Sequence, residues 1–183
     1  IFKLFITSNQ KYQFKKNIYQ NCHQVEKYNS FINDCLNTDF KAGKLSINPS
    51  LKSSSTNSTP VIGINPGASY GEAKRWYPEE FAKVAAELSN EYDILIFGGP
   101  NEKKISEDIE TLLIEKGVSN YQNIAGKTSI SELVNQISSL DLFLTGDSGS
   151  MHLAASFQVP TVAIFGPTRD KETSQWMNQK SII

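Results

Sequence analysis

The sequence has few of the residues that build disulfide and metal sites. Its 183 residues include two cysteines, Cys22 and Cys35, and two histidines. Two cysteines do not make a disulfide framework and are typical of a reduced compartment, so we expect a cytoplasmic protein. Only His23 lies near them in the chain, whereas a structural zinc ion needs four ligands. No Asp-x-Asp pair is present either, so we expect a site that works without a metal or another cofactor.

Long apolar runs are missing, and arginine is scarce. No run approaches the ~18 apolar residues of a membrane-spanning helix. The opening segment "IFKLFITSNQKYQF" has no cleavage site of a signal peptide. The chain does not begin with Met, which leaves open that it is part of a longer protein. Arg75 is the only arginine among the first 100 residues, so the sequence predicts no nucleic-acid partner.

The charge is unevenly distributed along the chain. The net charge is −1, but residues 1–59 hold eight Lys and three acids, whereas residues 60–183 hold ten basic and sixteen acidic residues. The basic part could face an anionic surface or ligand, although a solvated lysine-rich face is the simpler interpretation.

Composition divides the chain into three parts. Residues 1–47 mix aromatic and polar residues and are predicted to be mostly helical, with Ile18 and Cys22 on the apolar side. Residues 48–60, "NPSLKSSSTNSTP", have almost nothing to bury and are predicted to form an exposed linker. Residues 61–183 are predicted to form one domain.

That domain alternates short apolar runs with helical periodicity, which predicts an α/β fold with a doubly wound parallel sheet. One predicted helix has its apolar stripe on Phe81 and Ala85, and another has a capping box of Ser129 and Glu132 with Ile130 on its apolar stripe. The five predicted strands are "VIGIN", "YDILIFGG", "YQNIAG", "LDLFLTGD" and "VPTVAIFGP".

Small or polar residues follow each predicted strand, at the sheet edge where open parallel sheets bind ligands. In "TGDSGSMHLAA", Asp147, Ser148 and Gly149 form a predicted turn into a helix, whose first N–H groups and dipole would attract a diphosphate. His152, one turn further on, could orient a phosphate. The alternative is that Asp147 or Ser148 is simply an N-cap and that His152 is a satisfied, partly buried side chain.

The first two strand ends offer complementary groups. In "GINPGASYGEAKRW", Gly67 and Gly71 would let the backbone approach a phosphate, and Lys74 would supply a point charge unless it is simply solvated. In "FGGPNEKK", Glu102 could accept the hydroxyls of a ribose or act only as a helix N-terminal acid. Neither G-x-G-x-x-G nor a P-loop is present, so a metal-free nucleotide-sugar site fits better than a dinucleotide site.

Four segments together resemble the C-terminal half of the ADP-heptose:lipopolysaccharide heptosyltransferases, glycosyltransferase family 9. They are "GINPGASYGEAKRWYPEEFAKVAAEL", "ILIFGGPNEKK", "NIAGKTSISELVNQISSLDLFLTGDSGSMHLAA" and "VPTVAIFGPT", in order over about residues 60–170. The PGA-x-x-G-x-AKRW run is most similar to the heptosyltransferase II branch.

The resemblance implies a GT-B fold of two Rossmann-like domains and no metal. It also implies the transfer of L-glycero-D-manno-heptose from ADP-heptose to the lipopolysaccharide inner core, with inversion. The implied partners are ADP-heptose and the inner-core acceptor, and peripheral contact with the cytoplasmic face of the inner membrane is left open. At the matching positions, the resemblance implies catalytic roles for Lys74 and Asp147 and substrate-binding roles for Ser69 (phosphate), Glu102 (ribose), Thr128 (adenine) and the loop residues Ser148, Gly149 and His152.

The chain departs from the family pattern ahead of the linker. A complete member needs a first Rossmann unit of ~150 residues that carries the base, so residues 1–47 are expected to be a remnant of that acceptor domain. We therefore expect the fragment alone to be inactive. Two alternatives stay open. One is a non-catalytic module that binds a nucleotide or an anionic glycolipid through Lys11, Lys15 and Lys16, and the other is a GT-B transferase with a different nucleotide-sugar donor.

Overall fold

The computed structural model describes residues 13–14, 18–47, 59–68 and 71–178, and the backbone of residues 180–182. The chain divides into two compact units, one of residues 1–43 with 171–173 and one of residues 44–170 with 174–183. The interpretation of residues 1–47 as an acceptor-domain remnant stays a prediction. Most of the predicted linker lies outside the described residues.

The second unit is built on a six-stranded parallel sheet with the strand order β3-β2-β1-β4-β5-β6. This confirms the predicted α/β class, and it adds one strand to the five expected. The strands are β1 (Val61–Asn65), β2 (Asp93–Ile96), β3 (Tyr121–Asn123), β4 (Leu142–Gly146), β5 (Thr161–Ile164) and β6 (Lys180–Ile182).

The sheet is covered on both faces because its strands are apolar on both sides. Ile62, Ile64 and Ile96 pack in one buried cluster, whereas Phe97 and Phe143 pack in the other. Such near-continuous apolar runs are typical of parallel strands. The helices of this unit are α2 (Pro78–Leu88), α3 (Lys103–Glu115), α4 (Ile130–Ser138), α5 (Gly149–Phe157) and α6 (Asp170–Thr173), the last of which ends in the first unit. Short 3-10 turns at Glu72–Lys74 and Pro100–Glu102 follow β1 and β2.

The helix boundaries follow local sequence signals. Pro78 occupies the first turn of α2, where its missing N–H costs nothing. Ser129 and Glu132 form the predicted capping box at the start of α4. The prediction for Ile130 was wrong, because this side chain is 81% exposed instead of lying on the apolar stripe.

The first unit holds α1 (Gln24–Leu36), which begins at a capping box formed by His23 and Glu26. Ile18 and Cys22 therefore precede the helix, contrary to the prediction, and Ile18 is 65% exposed. Lys27 is nonetheless buried, and its ammonium pairs with Glu172 at 2.7 Å.

Candidate functional site

The candidate site is a cleft of about 720 Å³ at the carboxyl ends of β1, β2 and β4. β1 pairs with β2 on one side and with β4 on the other, so the strand order reverses at β1. In doubly wound sheets this reversal is the position at which helices leave to opposite faces and a crevice opens for ligands. Asn65 and Thr145 are register partners at the ends of β1 and β4. Asn65 lines the cleft, and Thr145 is buried beside it.

The structure brings Lys74 and Asp147 together, although they are far apart in sequence. The Lys74 Nζ lies 2.7 Å from Asp147 Oδ2, and the two side chains are 23% and 8% exposed. The approach depends on two glycines at strand ends. A Cβ at Gly146 would lie 3.4 Å from the carbonyl oxygen of Lys74, and a Cβ at Gly166 would lie 3.1 Å from that of Ala73. The Cβ at Gly146 would be an ordinary contact, whereas a side chain at Gly166 would require the backbone beside Lys74 to shift by a few tenths of an ångström.

The turn from β4 into α5 presents unpaired backbone donors to the cleft. Ser148 occupies the N-cap position, but its side chain does not cap the helix. Met151 N–H donates to the Ser148 carbonyl at 3.2 Å. No described residue accepts from the N–H groups of Gly149 and Ser150. Such N–H groups and a helix dipole favour anions, so this turn is a candidate anion site.

This geometry bears on both interpretations of the turn, and the assignment of the turn to a diphosphate stays a prediction. Asp147 is not an N-cap but an ion-pair partner, and Ser148 is an N-cap in position only. Its hydroxyl lies 3.0 Å from Asn65 Nδ2. His152 lies one turn into α5 and lines the cleft, half-buried.

Glu102 lies on the opposite wall of the cleft and is only 7% exposed. Its Oε2 accepts from Gly99 N–H at 2.7 Å, as expected of an acidic residue at the N-terminus of a helix. The carboxyl group also packs directly on the backbone of Gly67, where any Cβ would overlap it. Glu102 lines the cleft, and its predicted contact with a ribose stays a prediction.

Sequence reasoning missed an apolar wall in the cleft. Phe97, Ile130, Leu133 and Leu153 line it together with the predicted Thr128. The exposure of Ile130, which contradicts its predicted place in the core, is explained by this position at the cleft mouth. The available signal was that Ile130 is the first residue of the helix that follows β3.

Sequence reasoning also missed the role of Asn65. It is 5% exposed, and its side-chain nitrogen faces the hydroxyls of the β4–α5 turn. A polar residue that ends a buried apolar strand was the signal that could have found it.

Some predicted residues lie outside the described part of the chain. Ser69 is one, and its placement at a phosphate stays a prediction. The same holds for Lys11, Lys15 and Lys16, on which the glycolipid-binding alternative depends. Arg75 is described, and its guanidinium donates to Glu72 and to the Ala68 carbonyl, each at 3.4 Å.

A second and larger depression of about 870 Å³ runs along the edge strand β3. Three of its polar residues, Glu110, Asn123 and Lys127, are bound to one another. Asn123 Nδ2 donates to Glu110 at 2.8 Å, and Lys127 Nζ donates to the Asn123 carbonyl at 2.8 Å. Burial, and then the charge of Glu110, raises the pKa of Tyr121 above its ordinary value. We therefore place the candidate site in the smaller cleft, where the N–H groups of Gly149 and Ser150 have no acceptor among the described residues.

Two further features bear on the ligand class. Within the described ranges, no three His, Cys, Asp or Glu side chains are grouped so that they could hold a metal ion. The described helices also include none with the length and apolar character needed to cross a membrane.

Comparisons with known proteins agree on one family. The profile of glycosyltransferase family 9 (heptosyltransferase) matches residues 7–183. Lipooligosaccharide heptosyltransferase 2 of Campylobacter jejuni subsp. jejuni serotype O:2 is 42% identical over 181 residues, which are 96% of this chain and 56% of that protein. Lipopolysaccharide heptosyltransferase 2 of Escherichia coli K12 is 33% identical over 125 residues, 68% of this chain and 36% of that protein.

The solved structure of E. coli ADP-heptose LPS heptosyltransferase II superposes with a TM-score of 0.76 at 27% identity, over 88% of this chain and 54% of that one. The chain therefore spans little more than half the length of the Campylobacter protein and of the E. coli structure. Because the family profile covers nearly all of the sequence and the sheet has the expected topology, the chain belongs to glycosyltransferase family 9, the heptosyltransferases.

Proposed function

We propose that this chain is the donor-binding part of a heptosyltransferase that transfers L-glycero-D-manno-heptose from ADP-heptose to the inner core of lipopolysaccharide. One observation carries the proposal. At the point where the strand order reverses, the Lys74 ammonium and the unpaired N–H groups of the β4–α5 turn line the same cleft. The names of the relatives, heptosyltransferase 2 and ADP-heptose LPS heptosyltransferase II, support the same donor.

The diphosphate of the donor is the best match for the positive groups. Lys74 carries the one ammonium among the described residues that line this cleft, and α5 directs its N-terminus toward it. In the free chain, the Asp147 carboxylate occupies the position beside Lys74 that a phosphate oxygen would take. Binding would turn the ammonium from Asp147 to the phosphate and leave Asp147 to accept from a hydroxyl of the sugar.

The rest of the donor fits the remaining walls. The Glu102 carboxylate can accept from a ribose hydroxyl, as acidic residues do at this position in nucleotide-binding sheets. Thr128 and the apolar wall of Ile130 and Leu133 would contact the base. Ser148, Gly149 and His152 would contact the diphosphate and the sugar.

Charge placement suggests how these groups would assist the reaction. As the bond between the anomeric carbon and the phosphate oxygen breaks, negative charge grows on the leaving diphosphate. Fixed N–H donors and an ammonium stabilise that charge without rearranging, and removing one such donor typically costs about 2.7–4 kcal/mol of barrier. We propose that this part of the reaction needs no metal, because the chain's own donors supply the positive charge.

The acceptor side is proposed from the family alone. The lipopolysaccharide inner core would be bound outside the described cleft, at the cytoplasmic face of the inner membrane. We propose that the chain on its own binds the donor weakly and transfers no heptose, since it spans 56% of the length of the Campylobacter relative.

The proposal is tested by calorimetric titration of this chain with ADP, UDP and GDP. We expect ADP to bind more tightly than the other two, with the adenine on the apolar wall. A parallel assay of heptose transfer by the chain alone is expected to show no product. Equal and feeble binding of all three nucleotides would overturn the donor assignment.

A further inference from the structure

We propose that Asn65 is a positioning residue that sets the hydroxyls and backbone of the β4–α5 turn for the diphosphate. The inference deepens the proposed function and rests on it for the identity of the ligand. Its structural part, that Asn65 holds the turn, stands on the contacts of the free chain.

The side-chain nitrogen of Asn65 lies at the centre of three hydroxyl groups. Its Nδ2 is 2.8 Å from Ser150 Oγ, 3.0 Å from Ser148 Oγ and 3.2 Å from Thr145 Oγ1. The residue ends β1, whereas all three hydroxyls belong to β4 and the start of α5. The amide is thus a link across the reversal point of the sheet, directly behind the proposed diphosphate position.

The three hydroxyls also contact one another. Ser148 Oγ lies 3.1 Å from Thr145 Oγ1 and 2.9 Å from Ser150 Oγ. Thr145 Oγ1 additionally donates to the Gly146 carbonyl at 3.0 Å. The group is therefore one chain of hydrogen bonds that runs from the buried strand to the rim of the cleft, where Ser150 stands.

The Asn65 amide has fewer donor hydrogens than there are hydroxyl oxygens around it. An amide nitrogen has two hydrogens and a hydroxyl has one, so Asn65 can donate to two of the three oxygens at a time. Each hydroxyl that accepts from Asn65 is free to direct its own hydrogen elsewhere. In one arrangement, Ser150 donates to Ser148, Ser148 donates to Thr145, and Thr145 donates to the Gly146 carbonyl. In the opposite arrangement, Thr145 donates to Ser148, Ser148 donates to Ser150, and Ser150 donates into the cleft.

An anion in the cleft would favour the second arrangement, because the Ser150 hydrogen then meets it. Chains of hydrogen bonds in a buried setting strengthen one another. Asn65 is compatible with both arrangements, because its two hydrogens are donated to hydroxyl oxygens and not to the ligand. Ser150 thereby becomes a further donor to the ligand, and Asn65 acts through it and through the fixed turn.

The first test needs no ligand. Hydrogen exchange of the Met151 amide, which donates to the Ser148 carbonyl, is compared in the unmodified chain and in Asn65→Ala. We expect exchange about tenfold faster in the variant, as for an element whose local stability is reduced. The matched control is Asn120→Ala, because the Asn120 amide also donates twice, to the Ser89 and Tyr92 carbonyls at 2.8 and 2.9 Å, away from the cleft. Unchanged exchange in Asn65→Ala, or an equal increase in both variants, would overturn the inference.

The second test is a double-mutant cycle on ADP affinity with Asn65→Ala and Ser150→Ala. Residues that act as one unit give non-additive effects. We expect affinity losses of about tenfold for Asn65→Ala, about fivefold for Ser150→Ala and about tenfold for the double variant, with Asn120→Ala unchanged. A loss equal to the product of the single effects would overturn the coupling. If the unmodified chain binds no ADP, the proposed function fails, and the exchange comparison still decides the role of Asn65.

Discussion

The two depressions of the second unit differ in a way that volume does not reveal. The groove along β3 is the larger, at about 870 Å³ against about 720 Å³ for the cleft at the reversal of strand order. In the groove, Lys127 and Asn123 are bound to neighbouring acceptors. In the cleft, the N–H groups of Gly149 and Ser150 have no acceptor among the described residues.

The difference indicates that a candidate binding site is better recognised by fixed hydrogen-bond donors that lack an acceptor than by the volume of a depression. A folded chain normally pairs its buried polar groups. Donors that stay unpaired at a helix end, beside a cation held at 2.7 Å from its counter-ion, are typical of a site prepared for an anion. Variants of cleft residues can therefore be compared with variants in the groove or at a neutral position.

The largest effect is expected for the lysines of the two depressions. Lys74→Met should weaken ADP binding by about 10–100-fold, since a hydrogen bond to a charged group contributes about 1.5–3 kcal/mol. Lys127→Met in the groove should leave the affinity unchanged. Calorimetric titration measures both. Equal losses in the two variants would mean that Lys74 contributes no more to ADP binding than a lysine of the groove does.

Gly149→Ala should separate binding from folding. A Cβ at this position meets no atom within 4 Å, so the free chain should keep its melting temperature. The added methyl group would stand beside the N–H groups that face the ligand, and we expect ADP affinity to fall about tenfold, or ~1.4 kcal/mol. Thermal unfolding of the variant checks the melting temperature, and calorimetric titration of the same preparation checks the ADP affinity. Unaltered ADP binding would show that the ligand does not approach this turn.

Gly67→Ala should act through Glu102. A Cβ at Gly67 would overlap the Glu102 carboxyl group, and overpacking of this kind costs about 1–3 kcal/mol. We expect a lower melting temperature and a severalfold loss of ADP affinity. Gly43→Ala is the neutral control, because its Cβ would meet nothing within 4 Å. The account predicts that Glu102→Ala restores the melting temperature of Gly67→Ala, and a failure to do so would contradict the proposed overlap.

The smallest effect concerns pH at the start of α4, on the rim of the cleft. The backbone N–H of Ser129, and then its hydroxyl, hold the pKa of Glu132 below its ordinary value. A lowered carboxyl pKa stabilises the folded state above the ordinary pKa, and that stabilisation is lost as the pH falls through the lowered value. Protection of the first-turn amides of α4 should therefore decrease in acid. NMR titration should show the Glu132 pKa rise part of the way toward its ordinary value in Ser129→Ala, because the variant loses the hydroxyl but keeps the backbone N–H. An unchanged pKa would rule out the contribution of the hydroxyl.

Most of the fold was predictable because its signals are local. Alternating apolar runs and helical periodicity gave the strands β1 to β5, and the capping box of Ser129 and Glu132 placed the start of α4. β6 was missed because Lys180–Ile182 is a three-residue edge strand without a pattern of its own. α1 was predicted to start too early, since His23 ends the preceding turn by capping the helix.

The site was predictable only as far as strand ends reveal it. The sequence indicated which segments would meet at one edge of the sheet, and the structure brings Lys74, Glu102 and Asp147 to one cleft. It did not indicate that Lys74 would pair with Asp147, because that contact depends on the packing of two loops against Gly146 and Gly166. The place of Ile130 was wrong for the same reason, since periodicity cannot tell a core face from a cleft wall.

The most direct test of the account is a crystal structure of this chain with ADP. The account predicts the diphosphate in the cleft at the reversal of strand order, with phosphate oxygens about 3 Å from Lys74 Nζ and from the Gly149 N–H. It also predicts that the Lys74 contact with Asp147 is broken or shared. ADP bound in the groove along β3, or in the cleft with its diphosphate away from both Lys74 and Gly149, would contradict the central claim.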